Sequence, residues 1–254
     1  MTDYTPQELM VVAAARAIAD GEMVFVGMRL PLLAFSLAKR THAPTAVGLF
    51  ENGLVRDRVS PPDLYTMSDA PNVAHAAWAT GLLEVMGLLQ RGDVHLGFIG
   101  GAEVDRFGNI NTTVIGAPDR PRVKLPGSGG GADIACLAQR LVALMEHEPR
   151  RLRARVDFVT SPGFGDGSPA WRAAQGLVRG GPSAVITTLG VLRFSAETHE
   201  ASLASYHPFT TIEAVQAATG WPLAVAPDCA PTQAPSDDEL RLIREADPNG
   251  FWTR

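Results

Sequence analysis

The sequence lacks several features that would assign it to broad classes of protein. None of its apolar runs reaches the ~18 residues of a membrane-spanning helix, so no membrane association is expected. The first ten residues carry no positively charged segment, so no secretory signal is expected either. Only two cysteines are present, Cys136 and Cys229, far apart and without metal-ligand spacing. Such sparse cysteine usage is typical of a reducing compartment, and we expect a cytoplasmic location.

Positive charge and metal ligands are also scarce. The net charge is −5, and no basic stripe is present that would hold a phosphate backbone, so no nucleic-acid partner is expected. The six histidines form no pair with ligand spacing, and we therefore predict no metal site. The Gly-x-Ser-x-Gly elbow of an ordinary α/β-hydrolase is absent, which leaves a serine triad without support.

What is present is an alternation of apolar runs with helical patterns, which is typical of βαβ units. The patterns predict helices over residues 6–20, 31–39, 72–91, 132–146, 211–219 and 236–246. They predict buried strands over residues 23–26, 46–50, 94–99, 156–159, 183–188 and 191–194. We therefore expect an α/β fold with a mostly parallel sheet flanked by helices, in a single domain over residues 1–254.

A turn that begins with Glu51 directly follows the strand predicted at 46–50, and Asn52 and Gly53 complete it. Functional residues of α/β sheets gather where strands end. A carboxylate beside an apolar strand end is poorly solvated, which favours a role as a nucleophile. Asn-Gly is also an ordinary turn pair, so a charged surface turn is the alternative interpretation.

A second polar loop follows the strand predicted at 94–99. Its glycines allow a ligand to approach the backbone closely, and its short polar side chains suit an amide-rich ligand such as pantetheine. The same side chains also suit a self-capped turn that satisfies its own backbone donors. We predict that five residues shape this loop near the site: Gly101, Glu103, Asp105, Asn109 and Asn111.

A third loop contains Gly129, Gly130 and Gly131 and leads into a predicted helix. Consecutive N–H groups in such a loop form a nest for a phosphate, a carboxylate or an oxyanion. The Gly-Lys-Ser/Thr ending of a P-loop is missing. Together the three loops suit acyl chemistry through a covalent carboxylate intermediate and a stabilised oxyanion.

These stretches, in this order, resemble the β subunits of class I CoA-transferases, in particular the glutaconate branch. The tetrapeptide 50–53 is similar to the family's Glu-Asn-Gly signature, residues 100–111 to its GGAxVDRxGNxN stretch, and residues 127–134 to its GxGGxxD loop. Residues 160–163 and 238–244 also look like family stretches. The resemblance implies the NagB/RpiA/CoA-transferase-like fold.

The resemblance also implies a ping-pong reaction in which Glu51 carries coenzyme A from one carboxylic acid to another as a glutamyl-CoA thioester. It implies that backbone N–H groups near Gly129 and Gly130 stabilise the oxyanion. We extend oxyanion or CoA binding to Gly131, Asn52 and Gly53. The expected substrates are an acyl-CoA, which supplies the coenzyme A, and a small carboxylic acid. No tightly bound cofactor is expected. An α-type partner subunit is implied, in an αβ or α2β2 assembly.

Other functions stay open on the sequence alone. They are a CoA-thioester hydrolase or carbon–carbon lyase with Glu51 as base, a non-catalytic scaffold subunit, and a sugar-phosphate isomerase of related architecture. Family members that have lost the glutamate carry out hydrolysis, ring opening or decarboxylation, so Glu51 favours transfer. Arg29, Arg56 and Arg58 could pair with a distal carboxylate of the substrate, but the sequence favours ordinary surface charge for each.

Overall fold

The computed structural model describes residues 3–62, 64–177 and 179–254. The elements in chain order are α1 (Pro6–Ala15), β1 (Met23–Phe25), α2 (Leu30–Arg40), β2 (Val47–Phe50), β3 (Leu54–Arg56), α3 (Ala70–Val73), β4 (Trp78–Ala79), α4 (Leu82–Arg91), β5 (Leu96–Ile99), β6 (Glu103–Asp105), β7 (Ile110–Asn111), β8 (Val114–Ala117), β9 (Arg120–Lys124), α5 (Gly131–Leu137), β10 (Arg140–Met145), β11 (Leu152–Arg153), α6 (Trp171–Ala174), β12 (Pro182–Thr187), β13 (Gly190–Phe194), β14 (Ala201–Tyr206), α7 (Ile212–Ala217), β15 (Ala224–Pro231) and α8 (Asp237–Ala246). They form two compact units, Met1–Phe98 with Gln233–Arg254, and Ile99–Thr232. The single domain expected over residues 1–254 stays a prediction.

The first unit is built on strands in the order β5-β1-β2-β3-β4. β1 pairs in parallel with both β2 and β5, whereas β3 and β4 add on as antiparallel strands. Helix α2 connects β1 to β2 and packs closely on the sheet, since a Cβ on Gly48 would lie 2.8 Å from the Phe35 ring. Helix α1 packs against α2 and α8.

Helices α1 and α8 of this unit each begin with a capping box. Thr5 accepts a hydrogen bond from the N–H of Glu8 at the start of α1, and the Glu8 carboxylate accepts one from the N–H of Thr5. Ser236 and Glu239 make the same reciprocal pair at the start of α8. Such a pair satisfies N–H groups that the first helical turn leaves without a partner. The Glu8 carboxylate also binds Arg244 over 2.8 Å, which ties α1 to α8.

The second unit has its main strands in the order β15-β14-β13-β12-β10. β10 and β12 are parallel, as are β14 and β15, and antiparallel pairing joins β12, β13 and β14. Two smaller sheets, β11-β6-β7 and β8-β9, complete the unit. Parallel strand pairs with helices between them confirm the predicted α/β class. Within the described residues, no helix combines the length and apolar character needed to cross a membrane.

Four element predictions need correction. The helix predicted over 132–146 ends at Leu137, and Arg140–Met145 forms the buried strand β10, whose pairing with β12 overrides the helical preference of its Ala and Leu residues. The single helix predicted over 72–91 is divided into α3, which ends at Val73, and α4, which begins at Leu82, because Trp78–Ala79 between them pairs with β3 and Gly81 caps α4. No strand forms over 156–159, where Phe158 and Val159 are exposed. Helix α1 ends at Ala15 rather than at residue 20.

Two buried histidines of the second unit are held around Thr187. His147 Nδ1 lies 2.8 Å from Thr187 Oγ1, and its Nε2 lies 2.9 Å from Thr219 Oγ1. His207 Nε2 donates to the carbonyl oxygen of Thr187 over 2.8 Å. Burial lowers the pKa of both histidines to about 4, because an imidazolium would lose its hydration there. Both rings are therefore neutral at pH 7.

We predict that the protein loses stability as the pH falls from 6.5 to 4. In this window the unfolded chain binds protons at His147 and His207 and the folded chain does not, so the free energy of unfolding decreases with the pH. Each histidine contributes up to about 3 kcal/mol to this decrease. Thermal unfolding measured in steps across this pH range tests the prediction.

The matched control is His75→Asn, which removes an exposed histidine with φ 58, a conformation that Asn tolerates. His147→Gln should flatten the dependence of the melting temperature on pH, whereas His75→Asn should preserve it. An undiminished dependence in His147→Gln would contradict the assignment.

Candidate active site

Glu51 lies at the tip of the tight hairpin that joins β2 to β3. Phe50 pairs with Leu54, and the N–H of Gly53 donates to the carbonyl oxygen of Phe50 over 2.9 Å. A turn that ends in a residue with positive φ is a common three-residue hairpin, and Gly53 supplies a φ of 99°. The half-buried Glu51 therefore stands directly beyond the carboxyl end of a buried parallel strand.

The two residues after Glu51 hold this hairpin in place. A Cβ on Gly53 would lie 2.4 Å from the carbonyl oxygen of Thr80, and the N–H of Thr80 donates to the Gly53 carbonyl over 2.9 Å. Asn52 Nδ2 donates to the carbonyl oxygen of Met67 over 2.8 Å. Asn52 and Gly53 thus hold the backbone of the hairpin that carries Glu51, and their contact with an oxyanion or with CoA stays a prediction.

The polar loop of the second unit is held by two of its own side chains. Asp105 Oδ1 accepts the N–H groups of Phe107 and Asn109 over 3.0 and 3.1 Å. Asn109 Nδ2 donates to Asp105 Oδ2 over 3.0 Å, and its Oδ1 accepts the N–H groups of Gly163 and Gly165. Burial raises the pKa of Asp105, and these hydrogen bonds oppose the rise. The self-capped turn is therefore present in the structure.

Glu103 and Asn111 form a second buried pair in the same loop. Asn111 Nδ2 donates to Glu103 Oε2 over 2.7 Å, and the same oxygen accepts the N–H of Asp157 over 3.0 Å. A Cβ on Gly101 would lie 2.4 Å from Ile110 Cγ2, so a larger residue at this position would displace the Ile110 side chain. All five residues predicted in this loop therefore make close contacts within it, and their role in shaping a substrate site stays a prediction.

The glycine run forms the turn that leads into α5. Gly129 has a φ of 48°, and the N–H of Gly131 donates to the carbonyl oxygen of Ser128 over 2.8 Å. The N–H of Gly131 is thus used inside the turn, and Asp133 places a negative charge in the first turn of the helix. The binding of an oxyanion or CoA by Gly129, Gly130 and Gly131 stays a prediction.

Three of the singled-out stretches meet within the second unit. Ile110 and Ser161 exchange backbone hydrogen bonds of 2.9 and 3.0 Å, and the N–H of Thr112 donates to Thr160 Oγ1. A Cβ on Gly131 would lie 3.3 Å from Ser161 Oγ. Residues 160–163 therefore lie beside both the polar loop and the glycine run. Glu51, Asn52 and Gly53 belong to the first unit.

Arg56 and Arg58, two of the arginines that could pair with a distal carboxylate of the substrate, differ in their exposure. Arg56 is not a surface charge, which corrects the sequence expectation, since it is only 3% exposed and donates to the carbonyl oxygens of Asn72 and Ala74. Arg58 is exposed and lies 3.9 Å from Asp57. Among the described residues, no group of three or more His, Cys, Asp or Glu side chains is suited to hold a metal ion.

Comparison with known proteins shows what kind of protein carries this hairpin. A profile of the coenzyme A transferase family matches residues 7–218, which include Glu51 and all three loops. The chain belongs to the coenzyme A transferase family. It is 37% identical over 249 residues to the B-type subunit of the 3-oxoadipate CoA-transferase of Pseudomonas knackmussii, covering 96% of this chain and 94% of that one.

This member of the coenzyme A transferase family shares its fold with a solved transferase over its whole length. The crystal structure of glutaconate coenzyme A-transferase from Acidaminococcus fermentans matches with a TM-score of 0.93 and 34% identity, covering 100% of this chain and 98% of that one. A more distant relative, the cholesterol ring-cleaving hydrolase IpdB subunit of Rhodococcus jostii, is 27% identical over 263 residues, covering 100% of this chain and 97% of that one.

We predict that Gly53→Ala destabilises the hairpin and lowers activity. The new Cβ would collide with the carbonyl oxygen of Thr80, and the φ of 99° is strained for alanine. Backbone strain of this kind costs about 1–3 kcal/mol. This corresponds to a fall in the melting temperature of roughly 2–4 °C for each kcal/mol.

Gly87→Ala is the matched control, because Gly87 lies in α4 and, beyond its own helical backbone and chain neighbours, no atom lies within 4 Å of the position that its Cβ would take. This control should stabilise the protein by about 0.5–1 kcal/mol, since alanine is the better helix former. Equal melting temperatures for the two variants would contradict the role given to Gly53.

Proposed function

We propose that this chain is the B-type subunit of a heteromeric CoA-transferase, and that Glu51 is the nucleophile. The observation that carries the proposal is the half-buried carboxylate that a tight hairpin presents at the carboxyl end of β2, within a chain of the coenzyme A transferase family. A fixed carboxylate suits covalent catalysis, because orientation within the site replaces a bimolecular encounter.

The first half-reaction transfers coenzyme A to the enzyme. The Glu51 carboxylate attacks the thioester carbonyl carbon, the carbon–sulfur bond breaks, and CoA thiolate leaves behind an acyl-glutamyl anhydride. The thiolate then attacks the side-chain carbonyl carbon of Glu51. This step releases the donor acid as a carboxylate and leaves a glutamyl-CoA thioester.

The second half-reaction runs the same steps backwards with a different acid. The acceptor carboxylate attacks the glutamyl-CoA thioester and displaces the thiolate, which gives a new anhydride. The thiolate attacks the acyl carbon of that anhydride, forms the new acyl-CoA and restores the Glu51 carboxylate. Each attack passes through an oxyanion, and a well-placed N–H donor stabilises it by roughly 3–4 kcal/mol. We assign this role to the backbone at Gly129 and Gly130.

The proposal includes a partner and a location. The relatives named above are subunits of CoA-transferases or a hydrolase, so we propose an α-type partner in an αβ or α2β2 complex. Cys136 and Cys229 are both free thiols, which supports a reducing, cytoplasmic compartment. Acyl-CoA and a small carboxylic acid are the substrates, and coenzyme A is not a resident cofactor.

Hydrolysis is the second candidate, because one relative that covers the whole chain is named as a hydrolase. Transfer is favoured since the CoA-transferase subunit is the more similar of the two, at 37% against 27% identity. Transfer also requires that water be excluded from the anhydride and the thioester. The two reactions differ in whether thioester is lost without an acceptor acid.

We predict that Glu51→Gln abolishes CoA transfer by the complex with its α-type partner. Removing a covalent nucleophile should lower kcat by roughly 10⁴-fold or more, while acyl-CoA still binds. The measurement is turnover of acyl-CoA with and without an acceptor acid. Glu84→Gln is the matched control, because Glu84 is exposed and glutamine can keep its capping contact with Gly81.

Turnover that depends on the acceptor and vanishes in Glu51→Gln is the expected result. Loss of thioester at the same rate without acceptor would assign the complex to hydrolysis. Activity within a few-fold of wild type in Glu51→Gln would place the nucleophile elsewhere.

A further inference from the structure

Arg29 holds a backbone conformation that favours glycine. Its φ is 68° and its ψ is −127°, at the turn between β1 and the first residue of α2. Only two other non-glycine residues in the described part of the chain have positive φ, His75 and His199. A residue with a large side chain adopts this conformation at a cost in stability, and such strain concentrates at sites that bind ligands.

The position of Arg29 relative to Glu51 follows from the register of two strands. β1 and β2 are parallel, Phe25 lies opposite Leu49, and the N–H of Val26 donates to the carbonyl oxygen of Leu49 over 2.8 Å. Arg29 follows Val26 by three positions, and Glu51 follows Leu49 by two. Both residues therefore leave the first unit's sheet at the same edge, from adjacent strands.

The charge of Arg29 is oriented but not neutralised. Its guanidinium carbon lies 5.1 Å from the centre of the Trp252 ring, which supports the exposed side chain by a cation–π contact. No carboxylate among the described residues forms an ion pair with it, whereas Arg16 and Arg244 are paired with Glu239 and Glu8. The first turn of α2 also carries no acidic residue.

We propose that Arg29 binds the second carboxylate of a dicarboxylic acid substrate and thereby selects dicarboxylic over monocarboxylic acids. This inference rests on the proposed function, in which Glu51 reacts with the first carboxyl group. A guanidinium presents two parallel N–H donors that match the two oxygens of a carboxylate. Both CoA-transferases matched above are named for acids with two carboxyl groups, 3-oxoadipate and glutaconate.

The test compares Arg29→Gly, Arg29→Lys and wild type in the complex with the α-type partner. Glutarate and butyrate serve as acceptors, because they differ in the distal carboxylate. Arg29→Gly should lower kcat/KM for glutarate roughly 10–150-fold, the loss expected for a charge-assisted hydrogen bond, and leave kcat/KM for butyrate within about 2-fold. Arg29→Lys keeps the charge but not the two parallel N–H donors. Its kcat/KM for glutarate should lie between those of wild type and Arg29→Gly.

The same substitution should raise stability, since glycine relieves the strained φ. The melting temperature of Arg29→Gly should rise by roughly 2–4 °C. Arg58→Gln is the matched control, because Arg58 is an exposed arginine of the same unit, and it should change neither selectivity nor melting temperature. A higher melting temperature with unchanged selectivity would overturn the binding role.

Binding is measured separately, so that the two proposals can fail independently. Glutarate without acyl-CoA should raise the melting temperature of the wild-type complex and not that of Arg29→Gly, and butyrate should affect neither. This binding measurement does not depend on turnover. If no pair of acids supports transfer, only the proposed function is overturned. Equal losses for glutarate and butyrate would show that Arg29 does not recognise the distal carboxylate, and would overturn the inference.

Discussion

The hairpin that presents Glu51 depends on the absence of a side chain at Gly53. The carbonyl oxygen of Thr80 occupies the space of a Cβ, and the positive φ brings the N–H of Gly53 back to Phe50. The loop therefore closes within three residues, and the carboxylate stands on a fixed backbone at the end of β2. In the proposed reaction a carboxylate oxygen of Glu51 attacks the thioester carbon, and the side-chain carbonyl carbon of Glu51 then receives the thiolate. Both steps need the side chain in this fixed position.

The sequence predicted the elements whose signals are local. Strands β1, β2, β12 and β13 are short apolar runs with clear ends, and Ser236 with Glu239 marked the start of α8. The failure over 132–146 has a physical cause, because a run rich in Ala and Leu suits either a helix or a buried strand. Pairing of β10 with β12 decides between them, and that partner lies about forty residues away.

The sequence indicates which residues are candidates for the site, but not which other residues hold them in place. The motif positions of Glu51, Asp105 and Asn109 stand out in the sequence, whereas Thr80 and Met67, which fix the hairpin, carry no pattern that connects them to it. The sequence favoured surface charge for Arg56, yet its guanidinium is buried on backbone carbonyls. Long-range contacts of this kind arise from the fold, so motif reading alone does not find them.

The central claim is that Glu51 becomes covalently attached to coenzyme A. The most direct measurement treats the complex with acyl-CoA, reduces any thioester with borohydride, and maps the peptides by mass spectrometry. We expect that the peptide containing Glu51 loses the mass difference between a carboxylic acid and an alcohol, and that Glu51→Gln shows no such change. An unmodified Glu51 in a complex that is turning over acyl-CoA would contradict the claim.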